Sequence, residues 1–290
     1  MTSEATLRCA ATASQRWVLG QHGGMTEAGR PYATAAAHYL RGRPPYSDQL
    51  LDVVRTEIGL DGSGTLIDVG CGPGVLAVQL APLFETVIGI DPEPAMLAEA
   101  HRHAAAHDVQ AAWIEARAED LAELGLPAAR LVTFGQSIHW TDGQLVLAAV
   151  YELLEPGGAV SLIAPDIEHG SPPADAPAPP IPHDQIETLI GHYLGWSRSP
   201  REDIYETSLK GSPFGASHVV HAPGRSDIVR TTDDVVSGYL SMSFAAPDRF
   251  GDRLDTFIVD LQALLTAVSP AGRFHDWPGD TAVIWATRRE

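Results

Sequence analysis

Leu66-Ile67-Asp68-Val69-Gly70-Cys71-Gly72-Pro73-Gly74 is an apolar run that stops at an acid and then turns through three alternating glycines. Val75 to Phe84 follows as a helix that lays its apolar side on a sheet, so the order is strand, tight turn, helix. Glycines at such a turn let the backbone bend sharply and let a ligand lie against bare peptide groups. A small polar molecule is expected there.

The next strand, Thr86 to Ile90, ends in Asp91, nineteen positions beyond Gly72. That separation sets a carboxylate beside the glycine turn at the tips of neighbouring parallel strands, where an acid hydrogen-bonds ribose hydroxyls. Dinucleotides and S-adenosylmethionine both fit, and Gly72 to Ala77 satisfies the loose dinucleotide fingerprint. Asp68 separates them: a carboxylate repels a pyrophosphate, whereas the amino group and sulfonium of S-adenosylmethionine are cationic. The acid favours the methyl donor.

Five signals stand in order along the chain: Asp68 to Gly74; Ile90-Asp91-Pro92 with Met96; Ala118-Glu119-Asp120-Leu121; Gln136-Ser137-Ile138-His139-Trp140; and Leu154-Glu155-Pro156-Gly157-Gly158 before an apolar strand. On them the chain resembles the class I S-adenosylmethionine-dependent methyltransferases, in particular the small-molecule group called methyltransferase type 11. The resemblance implies an α/β fold: a Rossmann-like, seven-stranded, mostly parallel sheet with helices on both faces and its last strand antiparallel, carrying a helical cap insertion. It implies S-adenosyl-L-methionine as cofactor, with Asp68, Gly70, Cys71, Gly72 and Gly74 shaping the methionine end. Asp91 and Pro92 would border the ribose, Met96 would pack on adenine, Ala118 and Glu119 would border the base, and Gln136 would complete the pocket. Arg117 and Arg130 stand where many relatives carry Asp.

The chain has 290 residues, enough for one large α/β domain with an insertion. Its only cysteines are Cys9 and Cys71, too few for a disulfide framework, so a reduced cytoplasmic setting is expected and no metal site is. A formal net charge of -18 without a concentrated basic stretch argues against nucleic acid. No apolar run is long enough to span a membrane, and no secretory leader is expected.

Residues 1–30 read as an N-terminal extension with a short helix over Glu4–Leu19. It would close over the site, exchange with a neighbouring subunit to build a homo-oligomer, or pack loosely as a surface appendage. Residues 31–164 read as the donor-binding core. Tyr32–Leu40 and Asp48–Ile58 are expected helices separated by Arg43-Pro44-Pro45-Tyr46. The resemblance implies that Tyr39, Arg43 and Tyr46 sit over the donor or touch substrate; a surface ion pair for Arg43 and a helix-junction filler for Tyr46 stay open. His101, His103 and His107 do not share a face, and Glu99, His103 and His107 spread over roughly 12 Å of helix, so they read as solvated. A third strand is expected over Val109–Ile114 and a fourth over Leu131–Phe134.

The fourth strand delivers His139 and Trp140 to the carboxyl edge of the sheet, where ligands of such sheets bind. His139 is a candidate base or orienting group and Trp140 an aromatic wall for sulfonium or substrate; a helix-capping His139 and a packed Trp140 are the alternatives. After a helix over Asp142–Leu154 and a strand over Ala159–Ile163, the stretch Ser171 to Pro182 is too rich in proline for helix or ladder and marks an insertion, set at 165–215. Inside it Ile186, Leu189, Ile190, Tyr193 and Leu194 make an amphipathic helix, with Tyr193 and Trp196 as candidate substrate contacts. Residues 216–290 read as the end of the core: strands over Ser217–His221 and Thr281–Ala286, a helix capped by Thr231 or Thr232, and another over Phe250–Val268.

Together these features predict methyl transfer to a small, hydrophobic or aromatic metabolite, as in secondary metabolism. A nicotinamide-dependent oxidoreductase is the alternative from another class; Lys210, the only lysine, has no hydride-transfer partner near a strand tip. A donor-binding protein without catalysis is the third reading.

Overall fold

The computed structural model describes residues 32–165, 176–195 and 209–289. The N-terminal extension, Trp196 and part of the proline-dense stretch lie outside the described residues.

Two helices, α1 (Ala36–Gly42) and α2 (Leu50–Ile58), lead into β1 (Thr65–Val69), α3 (Val75–Leu80), β2 (Thr86–Asp91) and α4 (Pro94–Ala106). Next come β3 (Ala112–Glu115), β4 (Ala129–Gly135), α5 (Gly143–Leu153) and β5 (Leu154–Pro165). The remainder contributes α6 (His183–Leu194), β6 (His218–Ala222), β7 (Ile228–Thr231), α7 (Thr232–Leu240), α8 (Leu254–Val268), β8 (Arg273–Asp276) and β9 (Thr281–Thr287), with a helical turn at Pro247–Phe250. Among the described residues seven strands form one sheet in the order β3-β2-β1-β4-β5-β9-β6. Strands β1 to β5 are parallel, and β9 runs antiparallel to both neighbours. This is the Rossmann-like sheet the sequence implies.

Every residue of β1 is buried because helices cover both faces of the sheet, which is why Leu66, Ile67 and Val69 are all apolar around the single acid Asp68. Alternation sends Ile67 and Val69 into the cluster with Phe134, Val146 and Val150, and Leu66 into the cluster with Leu50, Val54 and Leu76. Asp68 shares the face of Leu66.

Two strands start three or more residues away from the sequence expectation. The third strand begins at Ala112, not Val109, because α4 ends in a Schellman turn: Asp108 adopts φ 56° and the Val109 N–H donates to the Ala104 carbonyl at 3.0 Å. The fifth begins at Leu154, where a bulge lets Glu155 to Gly158 loop out between the pairs Ala129↔Leu154 and Leu131↔Ala159.

A third apolar cluster stands beside the sheet. It joins Ile186 and Ile190 of α6 to Val235 and Tyr239 of α7, Phe257, Leu261 and Leu265 of α8, and Phe274 of β8. The expected cap helix therefore packs with residues 228–276, and β7 pairs with β8 as a small antiparallel sheet that the sequence did not signal.

Candidate functional site

The glycine turn is held from below by β2: the Gly70 and Cys71 N–H groups both donate to the Ile90 carbonyl, at 2.7 and 3.0 Å. Gly70, Gly72 and Gly74 have φ of 65°, 52° and 72°, a region closed to most side chains. Their surroundings differ. A Cβ on Gly70 would lie 2.3 Å from Ser137 Cβ, and one on Gly74 would lie 2.6 Å from the Trp113 ring. A Cβ on Gly72 would meet only Met96 Sδ, at 4.0 Å, so this residue faces open space.

Asp91 closes the turn from its other side. Its Oδ2 accepts the Gly72 N–H at 2.8 Å and its Oδ1 the Glu93 N–H at 2.9 Å. Burial raises its pKa against the lowering by those two donors. Each oxygen keeps a lone pair for a hydroxyl donor. Met96 is buried at the start of α4, and Pro92 is partly exposed between the two. Ala118 is buried, while Glu119 is occupied by protein: its Oε2 accepts from Arg117 at 3.3 Å and its Oε1 from the Asp142 N–H at 3.1 Å, tying this turn to the start of α5.

Over the turn lies a cavity of about 290 Å³ whose walls include Asp68, Gly70, Cys71 and Gly72 from below and Tyr39, Arg43 and Tyr46 from above. Gln136 borders it at φ 63°, a left-handed conformation that a non-glycine residue holds only under tertiary constraint. Tyr46 reaches Gly135, where a Cβ would stand 2.8 Å from its hydroxyl. Two residues lining this cavity, of opposite charge, each keep a buried polar atom without a hydrogen-bond partner among the described residues. Asp68 Oδ1 accepts the Thr133 hydroxyl at 2.8 Å, but Oδ2 is buried without a hydrogen-bond partner among the described residues. Burial pushes the Asp68 carboxyl up to about 7, with the Thr133 hydroxyl and the Ala77 N–H pulling the other way. Arg43 stacks over the Tyr39 ring at 5.0 Å and donates through Nη2 to the Ser241 carbonyl at 3.3 Å, while its Nε is buried with no partner among the described residues. A carboxylate oxygen and a guanidinium N–H left unmade on two residues lining one cavity suit a ligand with an ammonium and a carboxylate on neighbouring atoms, such as the methionine end of S-adenosylmethionine.

The expected substrate residues divide. Trp140 is 45% exposed at the sheet edge, 5.4 Å from the His139 ring. The Tyr32 ring meets it edge-on at 5.8 Å. Burial lifts the Tyr32 phenol to about 12, with Arg43 and the Ser243 hydroxyl pulling it down. Tyr193, expected at the substrate, belongs to the cap cluster instead. Its ring packs edge-on against Phe257 at 5.4 Å and its hydroxyl donates to Asp260 at 2.7 Å, because its helical register turns it toward α8.

His103 corrects another expectation: it is not simply solvated but lines the cavity, its Nδ1 3.2 Å from the Pro73 carbonyl, and burial lowers its pKa. Thr133, Tyr32 and Arg230 are further residues at the site that sequence reasoning passed over. Only Thr133 carried a readable signal, as a polar residue facing Asp68 in the adjacent parallel strand. No cluster of three His, Cys, Asp or Glu suited to a metal exists among the described residues, and no described helix is long and apolar enough to cross a membrane.

Residues 66–158 match a family model described as a methyltransferase domain. The "Probable S-adenosylmethionine-dependent methyltransferase CRG1" of Saccharomyces cerevisiae is 32% identical over 126 residues, 42% of this chain and 43% of that protein. A ubiquinone biosynthesis O-methyltransferase of Pseudomonas savastanoi pv. phaseolicola is 38% identical over 104 residues, 36% of this chain and 44% of that one. The matches thus span less than half the length of these curated relatives. Among solved structures, the (4+2)-cyclase SpnF shares the fold with a TM-score of 0.51 at 17% identity, over 89% of this chain and 94% of that one.

Proposed function

We propose that the chain, whose residues 66–158 match a methyltransferase domain, is a class I S-adenosylmethionine-dependent methyltransferase of the type 11 and 25 group that transfers a methyl group from S-adenosylmethionine to a small-molecule acceptor. The observation that carries this reading is the pair of unmade contacts, Asp68 Oδ2 and Arg43 Nε, buried on two residues that line a cavity over the open face of Gly72. When bound, S-adenosylmethionine supplies a methyl group already activated on sulfur. The protein's part is then alignment in a dry site. Asp68 receives the ammonium, Arg43 the carboxylate and Asp91 the ribose hydroxyls, with Met96 beside the base and Ala118 and Glu119 at its border.

The acceptor enters along Trp140, His139 and Tyr32. Their aromatic character supports an apolar or aromatic metabolite, of the kind modified in secondary metabolism. His139 takes the acceptor's proton where the nucleophile is a phenol or a carbon acid. The buried free thiol of Cys71 in the turn supports a reducing, cytoplasmic setting.

Calorimetric titration with S-adenosylhomocysteine tests the donor site, and absence of binding at high micromolar concentration abandons the proposal. Incubation with methyl-labelled donor and a panel of phenols, amines and carboxylic acids tests transfer. Because the fold is shared by a protein named a cyclase, binding without label transfer to any acceptor favours the reading of a donor-binding protein that does not methylate. In the His139→Ala variant, donor binding holds and turnover of a phenolic acceptor falls by about 100-fold or more. Unchanged turnover restricts His139 to orienting Trp140.

A further inference from the structure

We propose that Arg230 is a positioning residue for the donor: reaching out of the cap, it holds the last turn of α1 so that Tyr39 and Arg43 face the cavity. The proposal rests on reading that cavity as the donor site.

Helix α1 is seven residues long and has no side-chain N-cap, so it is too short to keep its place unaided. Among the described residues its hydrogen bonds and ion pairs to other elements run to the cap, while it also packs on α4 beside the sheet. At Gly42 it crosses α7 backbone to backbone: a Cβ there would lie 2.3 Å from the Ser237 carbonyl carbon and 2.4 Å from the Gly238 nitrogen. Arg41 pairs with Asp234 at 2.9 Å and Asp233 at 3.3 Å near the start of α7, but these pairs are exposed and screened. Arg43 reaches the Ser241 carbonyl just past the end of α7.

Arg230 completes the set in a drier place. Its Nη2 donates to the Arg41 carbonyl at 2.9 Å and to the Gly42 carbonyl, two of the acceptors that the end of α1 leaves without intrahelical donors. A guanidinium there also meets the negative end of the helix dipole. Arg230 Nε faces Asp276 Oδ2 across the small β7–β8 sheet at 3.8 Å, with the two side chains only 11% and 9% exposed. Arg230 therefore fixes, from the cap, the two peptide groups immediately before Arg43. It also borders the cavity, so direct contact with the donor is the rival explanation.

The experiment combines a double-mutant cycle with hydrogen exchange. Affinity for S-adenosylhomocysteine is measured for the wild type, Arg43→Ala, Arg230→Ala and the double variant. Positioning predicts that Arg230→Ala weakens binding about tenfold and that the double variant is no weaker than the worse single one. Gly42→Ala, which pries α1 from α7 with Arg230 intact, weakens binding to a similar degree, and Arg230→Lys restores part of the loss. Wild-type affinity in Arg230→Ala overturns the proposal, and so does a double loss equal to the product of the single ones, which marks independent contacts with the donor. Without any ligand, amide exchange over residues 36–43 is faster in Arg230→Ala than in the wild type while residues 254–268 stay protected. Unchanged exchange in 36–43 overturns the tether by itself. Failure of the wild type to bind S-adenosylhomocysteine overturns the donor reading instead, and leaves the exchange result to decide the tether.

Discussion

At Asp68 a carboxylate only 1% exposed shares one oxygen with Thr133 and leaves the other bare. Its folded pKa of about 7 lies above the ordinary carboxylate value, so between about pH 4 and 7 the folded chain holds a proton that the unfolded chain has released. Stability of the unliganded protein from this group is full below that window and lost as pH rises through it. Donor binding runs the opposite way: an ammonium against Asp68 prefers the ionised form, so affinity for S-adenosylhomocysteine rises with pH up to about 7 and each binding event below it releases a proton. Titration in buffers of different ionisation heat measures that release. Asp68→Asn removes it, raises the melting temperature of the unliganded protein at pH 8, and weakens donor binding about 10- to 100-fold. A variant that melts lower and binds equally well refutes the assignment of Asp68 to the ammonium.

The glycine turn, taken as an element, separates packing from ligand contact. All three glycines have positive φ, so each Ala substitution carries a backbone penalty of about 1–2 kcal/mol. Gly70→Ala adds a collision with Ser137, whose hydroxyl is itself bound to the Val69 carbonyl, so the turn and the end of β4 are both displaced. Gly72→Ala adds no collision with protein and projects a methyl group into the cavity. Gly70→Ala is therefore expected to lower the melting temperature well beyond Gly72→Ala, while Gly72→Ala folds and loses donor affinity. Thermal melts and titration of the two variants check this, and equal melting losses contradict it. The turn and the sheet were readable in the sequence because a strand buried on both faces is mostly apolar and because these dihedrals favour glycine. The ends of β3 and β5 were not, since Val109 is claimed by the capping turn of α4 and Glu155 to Gly158 by a bulge, neither of which leaves a period in the sequence.

At the scale of the whole molecule, two bodies share the cavity. Asp68, Gly72 and Gln136 belong to the sheet; Tyr39 and Arg43 ride on α1, which is strapped to the cap. Contacts of this kind are invisible to local pattern: Arg230 and Gly42 lie 188 positions apart, and the apolar stripe of α6 predicts burial without naming α7 and α8 as its partners. The same division governs unfolding. The cap cluster of Ile186, Tyr239, Phe257 and Leu261 is distinct from the two clusters that flank the sheet, so the unliganded protein has two cores that can melt at different temperatures. A donor that touches Asp68 and Arg43 at once binds only when both bodies are in place, and at 100 times its dissociation constant it adds about 2.7 kcal/mol to their joint stability. Scanning calorimetry is therefore expected to show a broad or double transition without ligand and a single, higher one with S-adenosylhomocysteine. Because the bridge depends on Arg43, the Arg43→Ala variant keeps two transitions at ligand concentrations that still saturate it, whereas merging in that variant shows that the donor is held by the sheet alone.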